Sequence, residues 1–384
     1  MVREFFISAY LVIFNTLFNI CKRFPQRVKT VCVASFGDNI HYTTQALKRL
    51  SDEEIVILKD HRCNYPFPDN VQVIRFHAWR PISYLKSIYH LATAKTVLID
   101  NYFGFLGAVA FRKNTTRIQL WHAAGAIKKF GLNDPSISKR SKRAKSRFKK
   151  VYQQFQHVTV ASNEMARVFQ ESFGLDEQSI IRAGVPRTDL FFNSEERERI
   201  QTSFKKKFPI INEKKVILYA PTYRDNQLRD YKLALDLDEL YQELADEYVL
   251  FIKQHPAVSY RLTEKHQSFV YDVSYYHDTN HLLLFTDLLI TDYSSIPFEY
   301  ALQHKPMIFF AYDQQTYEKT RGLISNYEQE MPGPIARTTE DVISLIKKET
   351  FSLTNVQQFS QKWNEFSDGH SSEDIAKFLL NKRK

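Results

Sequence analysis

Residues 287–321, DLLITDYSSIPFEYALQHKPMIFFAYDQQTYEKTR, constrain this chain more than any other stretch. Leu288, Leu289 and Ile290 read as a short buried strand. The polar turn Thr291-Asp292-Tyr293-Ser294-Ser295 follows, then a helix over 297–303 and a second buried strand over 306–310. A strand feeding a helix through small hydroxyl residues aims backbone N–H groups and hydroxyls at one spot, where an anion can sit. Pro297 suits the first turn, whose N–H groups have no intrahelical partner. Capping by Ser294 or Ser295 accounts for one serine. A pair of them, beside Asp292 and ahead of Glu299, points to a phosphate site.

The same alternation runs through the rest of the chain. Strands are expected at 30–35, 54–58, 71–76, 96–100, 117–121, 157–162 and 179–183, with helices at 40–50, 82–91, 103–111, 139–150, 164–169 and 195–208. The pattern restarts with strands at 215–220, 248–253 and 269–272 and helices at 233–245, 339–349 and 372–382. Short apolar strands interleaved with helices form parallel sheets covered on both faces. The expected fold is therefore α/β and GT-B-like, two Rossmann-like domains over 27–208 and 209–384 with a substrate cleft, preceded by a segment 1–26. Ligands of such sheets sit at the carboxyl ends of the strands.

Charge narrows the partners. The 384 residues carry a net charge of +10, which calls for an anionic partner: nucleic acid, anionic lipid or a phosphorylated substrate. Much of the excess lies in one run, Lys139, Arg140, Lys142, Arg143, Lys145, Arg147, Lys149 and Lys150, with no acidic residue among them. A solvated helix face is the plainer reading, but eight like charges repel one another and call for a compensating anion. No nucleic-acid motif accompanies them. Anionic lipid fits best, at about 1 kcal/mol per Lys or Arg near such a surface.

Residues 5–21 are apolar, carry Asn15 and Asn19, and lead into Lys22-Arg23 without a small-residue cleavage site. On a helix Phe6, Tyr10, Ile13, Phe14, Leu17 and Phe18 share one face. An interfacial anchor and a helix packed on the protein's own core both remain open. Cys21, Cys32 and Cys63 have no metal spacing and fit a reducing compartment. No carboxylates are spaced as a metal site, so neither a bound metal nor a cofactor is expected.

Four further strand-end segments carry chemistry. Trp121-His122 is followed by Ala-Ala-Gly-Ala-Ile-Lys-Lys. A neutral imidazole there takes a proton from a hydroxyl near pH 7, although a lone histidine is more often structural. In Gly184-Val185-Pro186-Arg187-Thr188-Asp189 the arginine is either a phosphate partner or a solvated residue of a hinge. Thr222 and Arg224 stand in Ala-Pro-Thr-Tyr-Arg-Asp after the 215–220 strand, and His255 stands in Lys-Gln-His-Pro after the 248–253 strand.

Taken in order across residues 117–323, these segments and the 287–321 stretch resemble the CDP-glycerol glycerophosphotransferase family of teichoic acid synthesis. The chain departs from the family's Gly-Thr-Pro after the histidine and carries Tyr223 for a tryptophan. With its length, that resembles the short primase branch. The resemblance implies transfer of glycerol phosphate from CDP-glycerol to a membrane-bound, undecaprenyl-diphosphate-linked disaccharide, releasing CMP. It implies His122 as catalytic base and His255 as donor to the nucleotide diphosphate. Thr222, Arg224, Arg187, Asp292, Ser294, Ser295 and Arg321 would meet substrate or phosphate, and Glu299 the ribose hydroxyls. A peripheral enzyme on the cytoplasmic face of the bacterial membrane follows, with anionic lipids and other teichoic acid enzymes as candidate partners and no nucleic acid. The competing readings are a chain-extending glycerol- or ribitol-phosphate transferase and a non-catalytic membrane-surface binding protein.

Overall fold

The computed structural model describes residues 2–222, 224, 233–254, 264–324 and 326–382. The chain runs α1 (Val2–Cys21), β1 (Arg27–Ala34), α2 (Asp38–Leu50), β2 (Glu54–Lys59), β3 (Gln72–Arg75), α3 (Pro81–Thr93), β4 (Ala94–Ile99) and β5 (Thr116–Gln119). It continues through α4 (Lys142–Tyr152), β6 (His157–Val160), α5 (Asn163–Phe173), β7 (Ile180–Arg182), α6 (Ser194–Lys207), β8 (Lys215–Ala220), α7 (Leu237–Leu244), β9 (Tyr248–Ile252) and β10 (Val270–Asp272). The last stretch holds α8 (Thr279–Phe285), β11 (Leu288–Thr291), α9 (Ile296–Tyr300), β12 (Met307–Phe310), α10 (Gln314–Arg321) and α11 (Tyr327–Glu330). It closes with β13 (Ile335–Ala336), α12 (Thr339–Lys348), α13 (Leu353–Trp363) and α14 (Ser371–Asn381).

Two compact units result, 1–122 with 130–189 and 366–384, and 123–129 with 190–365. The first holds a seven-stranded parallel sheet in the order β3-β2-β1-β4-β5-β6-β7. The second holds a six-stranded parallel sheet, β10-β9-β8-β11-β12-β13. Each order reverses once, between β1 and β4 and between β8 and β11, and such a reversal opens a crevice at the strand ends. Central strands such as β6, β9, β11 and β12 are buried along their whole length, as helices on both faces require.

The units are cut differently from the expected division at 208/209. Helix α6 belongs to the second unit, where Phe204 stacks on Phe285 at 4.0 Å and faces Phe251 and Tyr276. The C-terminal segment returns to the first unit. Ile375, Ala376 and Leu379 of α14 join Ala46 and Leu47 of α2 in one core. Expected helix 103–111 is a short 3-10 turn over Gly104–Ala108. Helix α7 begins at Leu237 rather than 233, because Asp236 caps it through the N–H groups of Asp238 and Glu239.

Helix α1 does not present the face expected of it. Phe14 and Phe18 are buried, against Phe105 (4.9 Å) and Phe111 (5.2 Å), while Phe6 and Ile13 are exposed. The stripe of buried Phe14 and Phe18 continues through half-buried Ile7 and Leu11, and the other side of the helix leaves Phe5, Phe6, Val12 and Ile13 open.

Candidate functional site

The first unit builds an ordered imidazole. His122 follows β5 and its Nδ1 lies 3.0 Å from the Asp100 carbonyl, which follows β4. A carbonyl only accepts, so Nδ1 carries the proton and Nε2 keeps its lone pair. The ring stacks on Phe36 (4.3 Å) and on Trp121 (4.3 Å). Burial in this half-closed position depresses the His122 pKa to about 4, the Arg187 cation adds to the depression, and the Asp100 carbonyl and Asp38 oppose it. Trp121 adopts a left-handed backbone (φ 56°), uncommon for a bulky residue. It is held there by its N–H to Gln119 Oε1 (2.9 Å), by Asn39 Nδ2 on its carbonyl (3.0 Å) and by the rings of Phe130, Phe169 and Phe173.

Two carboxylates brace this segment. Asp100 is fully buried and accepts the N–H groups of Ser35, Phe36 and Gly37 at 2.8–3.0 Å. Burial pushes its pKa up to about 7, with those three N–H groups opposing. Gly37 (φ 100°) makes the turn possible, since a Cβ there would stand 2.6 Å from Tyr65 Cβ. Asp38 pairs with Arg187 Nη1 at 2.8 Å, and Arg187 Nη2 donates to the His122 carbonyl at 3.0 Å.

Arg187 is thus engaged by protein groups, and its motif works as a joint. Gly184 (φ 77°) admits the backbone of Phe366, whose carbonyl would lie 2.5 Å from an added Cβ. Asp189 accepts the N–H groups of Ser371 (3.0 Å) and Ser372 (2.8 Å), capping α14. Arg187, offered by the sequence as a phosphate partner, reaches Asp38 and the His122 carbonyl together, as only a long, forked side chain can.

The second unit gathers most of the other expected residues at the β8/β11 reversal. Arg224 grips Asp313 through Nε and Nη2 (2.8 Å each) and reaches Asp292 at 3.0 Å. Its guanidinium lies 4.7 Å from the Tyr317 ring centre. Burial works against its charge, but the Asp313 hydrogen bonds and the two carboxylates outweigh that, and its pKa rises. Asp292 also accepts the Thr222 N–H (2.8 Å), and the Asp292 carbonyl accepts from Tyr327 Oη (2.9 Å). Arg224 and Asp292, expected to contact substrate, are therefore buried partners of each other. Their network fixes the turn that carries the serines.

Ser294 and Ser295 are half-buried at that turn. Ser294 Oγ lies 3.0 Å from Thr291 Oγ1 and accepts the Ile296 N–H at 3.2 Å, while Ser295, at the N-cap position, forms no side-chain cap bond. Helix α9 itself spans five residues, shorter than expected. Thr222 Oγ1 is buried with no hydrogen-bond partner among the described residues. Glu299 is buried in α9, and Arg321 is exposed at the end of α10. His255 and Tyr223 lie outside the described residues.

Residues 123–129, which follow His122, pack with the second unit. Gly125 lies so close to Phe298 that a Cβ would meet its ring at 2.3 Å, and Ile127 accepts the Ile324 N–H at 2.9 Å. Asp100, Asp38, Phe36, Asp313 and Tyr327 were not singled out from sequence. For Asp100 and Asp313 a signal existed, a carboxylate directly or closely after an apolar strand (TVLID, MIFFAYD).

Of the eight basic residues at 139–150, six lie within α4, which starts at Lys142 behind the Ser141 cap; Lys139 and Arg140 precede it. Arg147 pairs with Glu4 of α1 at 2.7 Å, and Arg140 covers Phe148 at 4.4 Å. Among the described residues no group of three or more His, Cys, Asp or Glu is disposed to hold a metal.

A family model described as CDP-Glycerol:Poly(glycerophosphate) glycerophosphotransferase matches residues 26–381. The chain is similar to the teichoic acid glycerol-phosphate primase of Bacillus subtilis (strain 168), 39% identical over 316 residues, which are 82% of this chain and 81% of that protein. It is also similar to the teichoic acid poly(ribitol-phosphate) polymerase of Bacillus spizizenii (strain ATCC 23059 / NRRL B-14472 / W23), 39% identical over 292 residues, 75% of this chain and 46% of that protein. Among solved structures, the wall teichoic acid polymerase TagF superposes with a TM-score of 0.82 at 23% identity, covering 99% of this chain and 98% of that one. That likeness carries the fold, α/β and GT-B-like.

Proposed function

This chain belongs to the CDP-glycerol:poly(glycerophosphate) glycerophosphotransferase family, and on that premise we propose that it is a teichoic acid glycerol-phosphate primase. It moves one glycerol phosphate from CDP-glycerol to a lipid-linked disaccharide. The observation that carries this reading is its match to two teichoic acid glycerol-phosphate primases, 39% and 37% identical over 82% and 79% of this chain.

His122 Nε2 takes the proton from the acceptor hydroxyl. The hydroxyl oxygen then bonds to the phosphorus that bears glycerol, the bond from that phosphorus to the bridging oxygen breaks, and its electron pair leaves with CMP. Transfer of this kind depends mainly on positioning and charge stabilisation. Nδ1 pinned to the Asp100 carbonyl supports His122 in the role of base. The hydroxyls of Thr222, Ser294 and Ser295, on a turn held by Arg224 and Asp292, are suited to the donor's diphosphate. The exposed apolar side of α1 and the basic α4 support work at the cytoplasmic membrane surface.

The test is CMP release from CDP-glycerol with a soluble-tailed disaccharide diphospholipid as acceptor, products being read by mass. A gain of one glycerol phosphate, reduced at least about 100-fold in His122→Ala, is the expected outcome. A ladder of masses would move the protein to the chain-extending transferases, a reading that the 39% identity to the ribitol-phosphate polymerase keeps in view. No CMP release with any glycerol-phosphate acceptor would overturn both.

A further inference from the structure

One groove of the first unit takes no part in this chemistry. It lies between α1, the loops after β2, β3 and β4, and the start of α4, and has a volume of about 990 Å3. Its floor is aromatic: Phe76 stacks on Tyr84 (5.4 Å), Phe105 meets Phe76 edge-on (5.4 Å) and Tyr102 stacks on Phe148 (5.0 Å). Ile7 and Leu11 of α1 continue this apolar lining, and the Tyr84 hydroxyl is spent on that of Tyr10 (2.8 Å).

The lining is also cationic. Arg3, Arg62, Arg140 and Arg147 stand with His61 and His77, against Glu4 and Asp60. Glu4 pairs with Arg147 and Asp60 with Arg62 (2.8 Å), while Arg3 and Arg140 form no ion pair among the described residues. Two positive charges are thus left over before any imidazole protonates. An apolar floor joined to surplus cations selects a molecule with a hydrocarbon part and a polyanionic head. The phosphodiester of an ordinary bilayer lipid brings one negative charge, whereas a phosphate monoester or diphosphate brings two or more.

The position of the groove agrees with such a ligand. Asp60 follows β2, His77 follows β3 and Tyr102 follows β4, so the groove occupies the same carboxyl edge of the sheet as Phe36 after β1 and His122 after β5. One wall is α1, whose open side carries Phe5, Phe6, Val12 and Ile13.

We propose that this groove binds the phosphorylated end of a single-chain lipid phosphate or diphosphate. The hydrocarbon lies along Ile7, Leu11 and the aromatic floor, and the phosphate oxygens meet Arg3, Arg62 and Arg140. The inference deepens the reading above, on which it rests, by giving a membrane-bound acceptor's phosphate a place on the chain.

Trp79 at the rim is 92% exposed and reports occupancy by its fluorescence. The full chain is titrated with farnesyl diphosphate, with inorganic pyrophosphate, with farnesol and with dihexanoylphosphatidylglycerol; Trp79→Phe is the optical control. Saturable binding of farnesyl diphosphate at least about tenfold tighter than the other three, weakened about tenfold by Arg62→Ala and by Arg140→Ala, is expected. Both arginines are exposed, so circular dichroism should show both variants folded. Equal binding of the phosphatidylglycerol, or binding indifferent to both substitutions, would overturn the inference. CMP release is measured on the same samples. Arginine-dependent farnesyl diphosphate binding supports the groove whether or not CMP is released, so the two readings fail separately.

Discussion

His122 is set up as an imidazole that stays neutral. Its pKa near 4 lies below the ordinary value of 6.5, so between those two pH values the unfolded chain holds a proton that the folded chain does not. Stability contributed by this group is therefore complete above about pH 6.5 and is lost as pH falls towards 4. The same depression keeps Nε2 available: the acid limb of kcat/KM should lie near pH 4 instead of 6.5, if His122 governs it. An imidazole titration followed by NMR, with His122→Ala to assign the resonance, checks this; a midpoint at 6.5 would contradict the burial argument. The residue itself was legible in the sequence as a histidine at a strand end. Its tautomer was not, because Asp100 lies 22 positions away and meets it only through the adjacency of β4 and β5.

Element α14 owes its N-terminus to a distant loop. Its own N-cap residue, His370, makes no side-chain cap bond, and Asp189 satisfies the N–H groups of Ser371 and Ser372 instead. Asp189→Ala should cost about 1 kcal/mol and speed amide exchange over 371–381 more than over α2. Exchange that rises equally in the two helices would show that the pair unfolds as one piece. Residues 184–189 offered two readings in the sequence, an arginine that pairs with a phosphate or a solvated arginine in a hinge. They serve as a joint because α14 folds back onto α2, a long-range event that no local pattern encodes. Helices such as α2 and α12 were legible for the opposite reason: their apolar stripes repeat locally, and Thr338 and Asp341 form a capping box within four residues.

At the scale of the whole chain, the charge of +10 is spent unevenly. On the proposed work at a membrane surface, the basic residues of α4 and the open apolar side of α1 would meet an anionic bilayer, with about 1 kcal/mol per Lys or Arg close to the surface. Lys149 and Lys150 are exposed and form no ion pair among the described residues. Lys149→Glu with Lys150→Glu should weaken binding to vesicles containing phosphatidylglycerol at least about tenfold at low salt, and the difference should shrink as salt is raised. Flotation at two salt concentrations measures it. Flotation unchanged by the two substitutions would mean that α1 alone carries the attachment.

What the sequence determined by itself was local and periodic. Short β-rich apolar runs alternating with amphipathic stretches dictate two parallel sheets, and strand-end polar segments mark where chemistry belongs, since both follow from backbone geometry within a few residues. The tertiary structure decided the partners. Arg224 looked available until Asp292 and Asp313, 68 and 89 positions on, enclosed it, and the apolar face of α1 was split by which aromatic rings of the first unit it met. Charge neutralisation and close packing join whichever side chains the sheet order brings together, and that order belongs to the fold.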